Sequence, residues 1–410
     1  MPEKIDIYKL ANGMTAIGVP MAQVQSAAFE FLLPAGAAVM PEGCCGASAV
    51  ISDWIFRGAG NKSNRELTDL LDGLGLHRKS GAESKHISLS AALEAENLDK
   101  AIELYADIIT RPSLDSGQFE YSRQLALQSL ASLEDDPMHK VSHLLHQYFY
   151  PDPLGRNPLG TQKDLQNLTA QICKQLVLEH FDISRTIFTV AGKYDFQKLC
   201  RLLEKLFAAE KPKKTKDINL KKQSPEYHHL HHDGAQVHIG IMTPTVTPQS
   251  PDYYNARVAL GVLSDGMSSR LFTEVREKRG LCYAVYATYH SLREMAGIRC
   301  YAGTTPDKAQ QTYDVIISEM KKLAEGISQQ ELARAKIGLQ SSLIMQSEST
   351  SARAQGAAMD YYILGKVRTL DEIKQRIEKI TVKSVLDFLK KNPFDKFCSV
   401  TIGPEKIKTV

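Results

Sequence analysis

The sequence predicts an α+β protein of two similar, duplicated domains, each a mainly antiparallel sheet with helices packed on one face. Three observations carry this. A chain of 410 residues, at roughly 150 per domain, has room for two or three folding units. Its composition, 43% hydrophobic and 24% charged, is that of a chain able to bury a core rather than a disordered one. The third is a repeat: Asp99–Ile109 (DKAIELYADII) returns as Asp307–Ile317 (DKAQQTYDVII), with six of eleven positions identical at an offset of 208.

Each element follows from its local pattern. Both copies of the repeat space their apolar residues as a helix does. Asp115 with Gln118 opens a long helix through Leu133, and Ser328 with Glu331 is a capping box, 213 residues on, opening another through about Met345. Thr169 after Leu168 and Thr381 after Ile380 are helix starts at an offset of 212. Thr186–Gly192 (TIFTVAG) and Phe397–Gly403 (FCSVTIG) are β-rich runs ending at glycine, at an offset of 211. Four matches in the same order give domains over 1–210 and 228–410, each reading as strands, a helix, strands, several helices and a last strand. Residues 211–227 form the linker. Between Lys211 and Lys222 lie six lysines and one aspartate, a local +5 that keeps the segment solvated and extended.

That cluster decides what the net charge of +3 means, because the rest of the chain is then near −2. A nucleic-acid partner would call for basic charge spread over a folded face, so none is expected. No apolar run approaches ~18 residues, and none is expected to cross a membrane. The start, Met1–Asp6, has no apolar core segment, so no secretory signal is expected. Seven cysteines without repeated spacing or CxxC form neither a disulfide framework nor a zinc ribbon, and a reducing cytoplasm is the expected setting.

Common catalytic motifs are missing. Neither HExxH nor HxxEH occurs, nor does a GxSxG elbow, and Ser264–Ser269 fits no phosphate-binding loop. His139, His143 and His146 sit at helical spacing among apolar residues and read as partly buried packing histidines. His228, His229, His231 and His232 abut the linker, ahead of a strand starting near Gln236, and no dedicated metal site is expected there. One segment does stand out. Ser268–Gly280 reads as a helix opened by serine and closed by glycine, followed by a β-rich run from Leu281 to Tyr289. Arg276 in the last turn and Tyr283 just past it would converge as two donors on one carbonyl or oxyanion. The alternative is that Arg276 pairs with a nearby glutamate and Tyr283 lies at the edge of the core.

The run Ser268–Tyr283 has the form SSRLFxxxRExxGLxY, and on it the chain resembles the pitrilysin/insulinase zinc peptidases, in their short bacterial form. Leu10–Gly13 (LANG), Gly46–Gly58, Thr186–Gly192 and Gly403 are weaker matches that extend the resemblance almost end to end. In that family a helix carries HxxEH and a later glutamate completes the zinc site. Registered on Phe56-Arg57-Gly58, the histidine positions fall at Ala49 and Asp53 and the catalytic glutamate at Ser52. The third ligand falls at Ser129, and its supporting glutamate at Ser122. Asp53 alone would offer one oxygen, Ala49 offers no donor and serine is a poor zinc ligand, so no metal is expected in this chain. The family's C-terminal arginine and tyrosine, which hold the substrate main chain, match Arg276 and Tyr283.

The resemblance therefore implies a non-catalytic subunit of a heterodimeric zinc endopeptidase. It would bind a peptide or unfolded segment beside a homologous subunit that brings the zinc, and show no peptidase activity alone. Its zinc-less mitochondrial members carry a long glycine-rich loop that is missing here, so presequence processing is not expected. The alternative is a catalytically inactive peptide-binding or scaffold protein of the same fold. A self-sufficient hydrolase using other residues is the remaining reading.

Overall fold

Sequence periodicity becomes a layered arrangement in the computed structural model, which describes residues 4–213, 218–221 and 226–409. The first half runs β1 (Asp6–Lys9), β2 (Thr15–Pro20), β3 (Ser26–Leu33), α1 (Ala47–Trp54), β4 (Gly58–Ala59), β5 (Lys62–Ser63), α2 (Asn64–Gly73), β6 (His77–Ala82) and β7 (Ile87–Glu94). It continues α3 (Leu98–Thr110), α4 (Ser116–Ala131), α5 (Pro137–Phe149), α6 (Gln162–Asn167), α7 (Ala170–His180), β8 (Ile187–Gly192) and α8 (Phe196–Phe207). The second half runs β9 (Tyr227–His231), β10 (Val237–Thr245), α9 (Tyr253–Ser264), a π-helical turn (Phe272–Glu277), β11 (Cys282–Ser291) and β12 (Ala296–Thr304). It ends with α10 (Ala309–Lys322), α11 (Gln329–Ser347), α12 (Thr350–Leu364), α13 (Leu370–Glu378), α14 (Val382–Lys391) and β13 (Cys398–Gly403).

The helix starts lie where the caps put them. Thr169 accepts from Ile172 N at 3.2 Å, and Thr381 forms a reciprocal capping box with Ser384. Ser328 and Glu331 close the expected box, with the Ser328 N–H donating to Glu331 Oε2 at 2.8 Å. Each satisfies amide donors that the first helical turn leaves over.

The duplication is a topology used twice. One sheet has the order β1-β2-β8-β3-β7-β6 and the other β11-β12-β10-β13-β9. Taken from the β6 end, β6-β7-β3-β8-β2 matches β11-β12-β10-β13-β9 strand for strand. Each contains one parallel pair, β2 with β8 and β13 with β9, and is otherwise antiparallel. The histidine run beside the linker is itself a strand, because β9 takes in His228, His229 and His231. The lysine-rich stretch expected as linker lies partly outside the described residues, at 214–217 and 222–225.

Two compact units hold these sheets. The first gathers the chain up to Ser132, Asp152–Lys221 and Gln346–Val367, and the second gathers Leu133–Pro151, the chain from β9 to Met345, and that from Arg368 onward. The units do not follow the sequence halves. Helix α5 comes from the first half and joins the second unit, while α12 comes from the second half and joins the first.

Strand alternation explains why the first sheet accepts an extra helix. Phe29, Phe31, Phe188 and Val190 face the main core with Trp54, Ile102, Tyr105 and Leu203. Ile17, Val19, Leu32, Ile187 and Ala191 point the other way, and Ala354, Ala357 and Ala358 of α12 cover them. Burying such an aliphatic side chain is worth about 1.5–3 kcal/mol, so this second face cannot be left bare. Alanines allow close approach, and Thr189 Oγ1 donates to Ala354 O at 3.0 Å.

Glycine does the same for the second sheet. A Cβ on Gly240 would lie 2.6 Å from Val141 Cγ1, and one on Gly297 would lie 2.9 Å from Phe149 Cζ. Helix α5 can therefore seat Val141 and Phe149 directly on β10 and β12. The opposite face, with Ile239, Ile241 and Ile298, packs on Val258, Tyr313, Ile316 and Phe388. Beyond the helical layer expected on one face, each sheet thus carries one further helix on the other. No helix among the described residues is long and apolar enough to cross a membrane.

Candidate functional site

Arg276 and Tyr283 come together. Lys278 N donates to Thr273 O at 2.9 Å, five residues back, which makes this a π rather than an α turn. Gly280 then reverses the chain at φ +56°, donating to Arg276 O at 3.0 Å. The strand that follows is irregular as well. Cys282 pairs with Thr304 and Ala284 with the adjacent Gly303, so Tyr283 is the extra residue of a β-bulge. A bulge re-aims its side chain, and Tyr283 is 84% exposed. The Arg276 guanidinium lies over its ring, 5.1 Å from the centroid, and also over the Phe272 ring at 4.8 Å.

What surrounds the pair leaves its donors uncommitted. Of the glutamates in this turn, Glu274 is held by Lys278 at 2.6 Å and Arg279 at 2.7 Å. Among the described residues no carboxylate pairs with Arg276, and the Tyr283 hydroxyl makes no hydrogen bond. The turn is strapped down instead by Arg270. Its Nε donates to Glu331 Oε1 at 2.7 Å, its Nη2 to Gly326 O at 2.6 Å, and the bond it gives pulls the Glu331 pKa down to about 2. Thr304 Oγ1 fixes Leu281 O at 2.6 Å on the far side. Burial pushes the pKa of the neighbouring Cys282 thiol up to about 11, which disfavours its thiolate. Burial raises the other six cysteines too, and all seven are free thiols.

The positions registered on the zinc motif lie on α1 and α4 of the first unit. Ala49 offers a methyl group. Ser52 is buried, and its Oγ donates to Ala49 O of its own helix at 2.8 Å. Ser129 Oγ donates to Leu125 O at 2.9 Å. Asp53 keeps a carboxylate, but Arg57 Nε binds its Oδ2 at 2.6 Å and Ser122 Oγ donates to the same oxygen at 2.5 Å. Ser122 Oγ in turn accepts from Arg57 Nε at 2.8 Å, and the guanidinium lies 5.9 Å from the Tyr121 ring centroid. One carboxylate, already engaged by a cation and two serines otherwise bonded do not fit a zinc ion. Among the described residues, no group of three or more His, Cys, Asp or Glu is arranged to hold a metal. The missed part is the tie itself, in which Arg57, in the bend just past α1, reaches back four residues to Asp53 near the helix end.

The histidines are structural. His139 is exposed rather than packed, since the first turn of α5 presents it to solvent, where it bonds the Asp136 carboxylate. His143 is pushed down from its ordinary pKa by burial, and the His146 ring packs 5.1 Å from that of His290. His228 stacks on Tyr148 with centroids 3.6 Å apart, and His229 Nδ1 meets Thr401 Oγ1 at 2.9 Å.

Residues 21–162 match the family described as insulinase (peptidase family M16), and residues 167–339 match the peptidase M16 inactive domain. The chain belongs to the M16 peptidase family. The first match covers all four registered zinc positions and the second covers Arg276 and Tyr283. Among relatives of this M16 chain is an uncharacterized zinc protease of Rickettsia felis, 27% identical over the whole of both chains. Another, from Bacillus subtilis, is 26% identical and covers 92% of this chain and 93% of its own. The fold matches that of a crystal structure of a peptidase M16 inactive domain from Pseudomonas fluorescens, with a TM-score of 0.89, 18% identity and 99% of each chain covered. A protease from Helicobacter pylori matches at the same TM-score of 0.89, with 21% identity over 98% of this chain and 100% of that one.

Proposed function

We propose that this M16 chain is the non-catalytic subunit of a two-chain zinc endopeptidase, to which it contributes Arg276 and Tyr283. The observation that carries the reading is the stacked pair itself: two outward donors, uncommitted to the protein, in a chain whose zinc-motif positions cannot hold the ion. The metal belongs to a homologous partner subunit and supplies the hydrolytic chemistry there. Arg276 brings a permanent positive charge and a fork of N–H donors, and Tyr283 an O–H donor. Together they hold the carbonyl oxygen of an extended peptide and stabilise the charge that develops on it. The substrate is a peptide or unfolded segment, and seven free thiols suit a reducing cytoplasm.

The test is co-expression with a chain of similar length that carries an intact HxxEH, followed by a peptide-cleavage assay. Tyr283→Phe and Arg276→Ala should each lower the rate of the pair by on the order of a hundredfold, with assembly unchanged. Full activity in both variants refutes the role of the pair. Peptide binding without cleavage alongside any zinc-bearing partner would make the chain a scaffold instead.

A further inference from the structure

We propose that Phe272 is a positioning residue for the Arg276–Tyr283 pair, holding the guanidinium where it stacks on the tyrosine before any peptide arrives. This rests on the reading of that pair as the peptide-gripping element. Arg276 lies over two rings, Phe272 at 4.8 Å and Tyr283 at 5.1 Å from their centroids. Tyr283 cannot hold it alone, because that ring is 84% exposed and sits on a bulge without a cross-strand partner. The usual device for orienting an arginine, a carboxylate, is withheld, since Lys278 and Arg279 occupy Glu274.

Phe272 has the anchorage that Tyr283 lacks. It is half-buried at the start of the π-helical turn, between the fully buried Leu271 and a turn whose Val275 is also fully buried. The backbone that carries the ring is therefore fixed to the unit's core through Leu271 and Val275, and the guanidinium rests on a ring whose stem is held there. An aromatic ring suits this task better than an acid would. It attracts the cation through its face while accepting none of its N–H donors, so the fork stays free for a peptide carbonyl. An arginine held this way loses less freedom on binding, which is what a preorganised donor requires.

The test uses Phe272→Leu, which keeps bulk and removes the π face, and Phe272→Tyr, which keeps both. In the isolated chain, nuclear magnetic resonance of the Arg276 Nε–H reads the ring-current shift. Phe272→Leu should move that proton toward the random-coil position, and Phe272→Tyr should leave it in place. In the co-expressed pair with an HxxEH-bearing chain, Phe272→Leu should lower kcat five- to tenfold with KM nearly unchanged. Phe272→Tyr should restore wild-type kcat. The KM–kcat split and the tyrosine rescue separate positioning from loss of packing, and an unchanged melting temperature confirms it. An Arg276 proton that does not shift in Phe272→Leu overturns the proposal. So does undiminished kcat in Phe272→Leu when Tyr283→Phe is crippled, a result that leaves the role of the pair standing. If Tyr283→Phe and Arg276→Ala are themselves fully active, the pair has no such role and Phe272 has nothing to position.

Discussion

Replacing Arg57 by alanine removes the cation that bridges Asp53 of α1 and Ser122 of α4, at positions registered on the family's zinc motif. Arg57 and Asp53 side chains are 22% and 32% exposed, so the pair is neither a surface bridge nor a sealed one. Exposed pairs contribute about 0–1 kcal/mol, and a hydrogen bond to a charged group about 1.5–3 kcal/mol. With screening at this exposure, the coupling between Asp53 and Arg57 should be about 1–2 kcal/mol. Ser122 limits the damage, because its buried hydroxyl still donates to Asp53 after Arg57 is gone. A double-mutant cycle of Asp53→Ala and Arg57→Ala isolates the coupling. The chain supplies its own reporter: its one tryptophan, Trp54, is buried on α1, donates to Asp115 O at 3.0 Å and packs 5.0 Å from Phe119 of α4. Urea unfolding followed by Trp54 fluorescence should give the same midpoint with and without chelator, and a coupling in the stated range. A coupling under about 0.3 kcal/mol would show that the tie holds nothing, since independent sites add to within that margin. A midpoint lowered by chelator would show that a metal does the holding.

Further outcomes follow from the same geometry. Burial, with Arg299 nearby, lowers the His290 pKa to about 4, so this histidine is neutral when folded and protonates near 6.5 when unfolded. Its stability contribution is complete above about pH 6.5 and lost as pH falls toward 4, at about 1.4 kcal/mol per pH unit. His290→Asn should flatten the dependence of the urea midpoint over that window, and an unchanged slope would refute the assignment. Gly240→Ala would place a methyl group 2.6 Å from Val141 Cγ1, lifting α5 and costing about 1–3 kcal/mol in thermal unfolding. The same change at Gly266, where a Cβ meets nothing within 4 Å but φ is +78°, should cost only the backbone strain, about 1 kcal/mol.

Much of this was legible in the chain, and the parts that were not share a cause. Caps announce themselves chemically, so Thr169, Thr381 and the Ser328–Glu331 box marked their helices correctly. The repeat at Asp99 and Asp307 foretold equivalent helices α3 and α10 and, through them, the doubled topology. The family resemblance singled out Arg276 and Tyr283, but no pattern in the chain showed the shape of their stack. A π turn and a β-bulge each arise from one surplus residue, and no composition marks where it will go. Strand β9 escaped notice because its alternating residues are histidines, which carry no clear apolar signal. The exchange of α5 and α12 was invisible for a different reason. Their contact faces are alanines, or side chains matched to distant glycines, and such complementarity exists only once both elements are placed.

That exchange sets an order of events during synthesis. The apolar row on the outer side of the first sheet, Ile17, Val19 and Ile187, leaves the ribosome long before Ala354–Ala358, which shield it. Until residues 354–358 have been made, the nascent polypeptide carries this sticky strip uncovered. A gene cut between the two sequence repeats would yield an N-terminal product with that strip permanently open. Splitting the protein there to make separate modules should therefore give insoluble material unless both pieces are produced together.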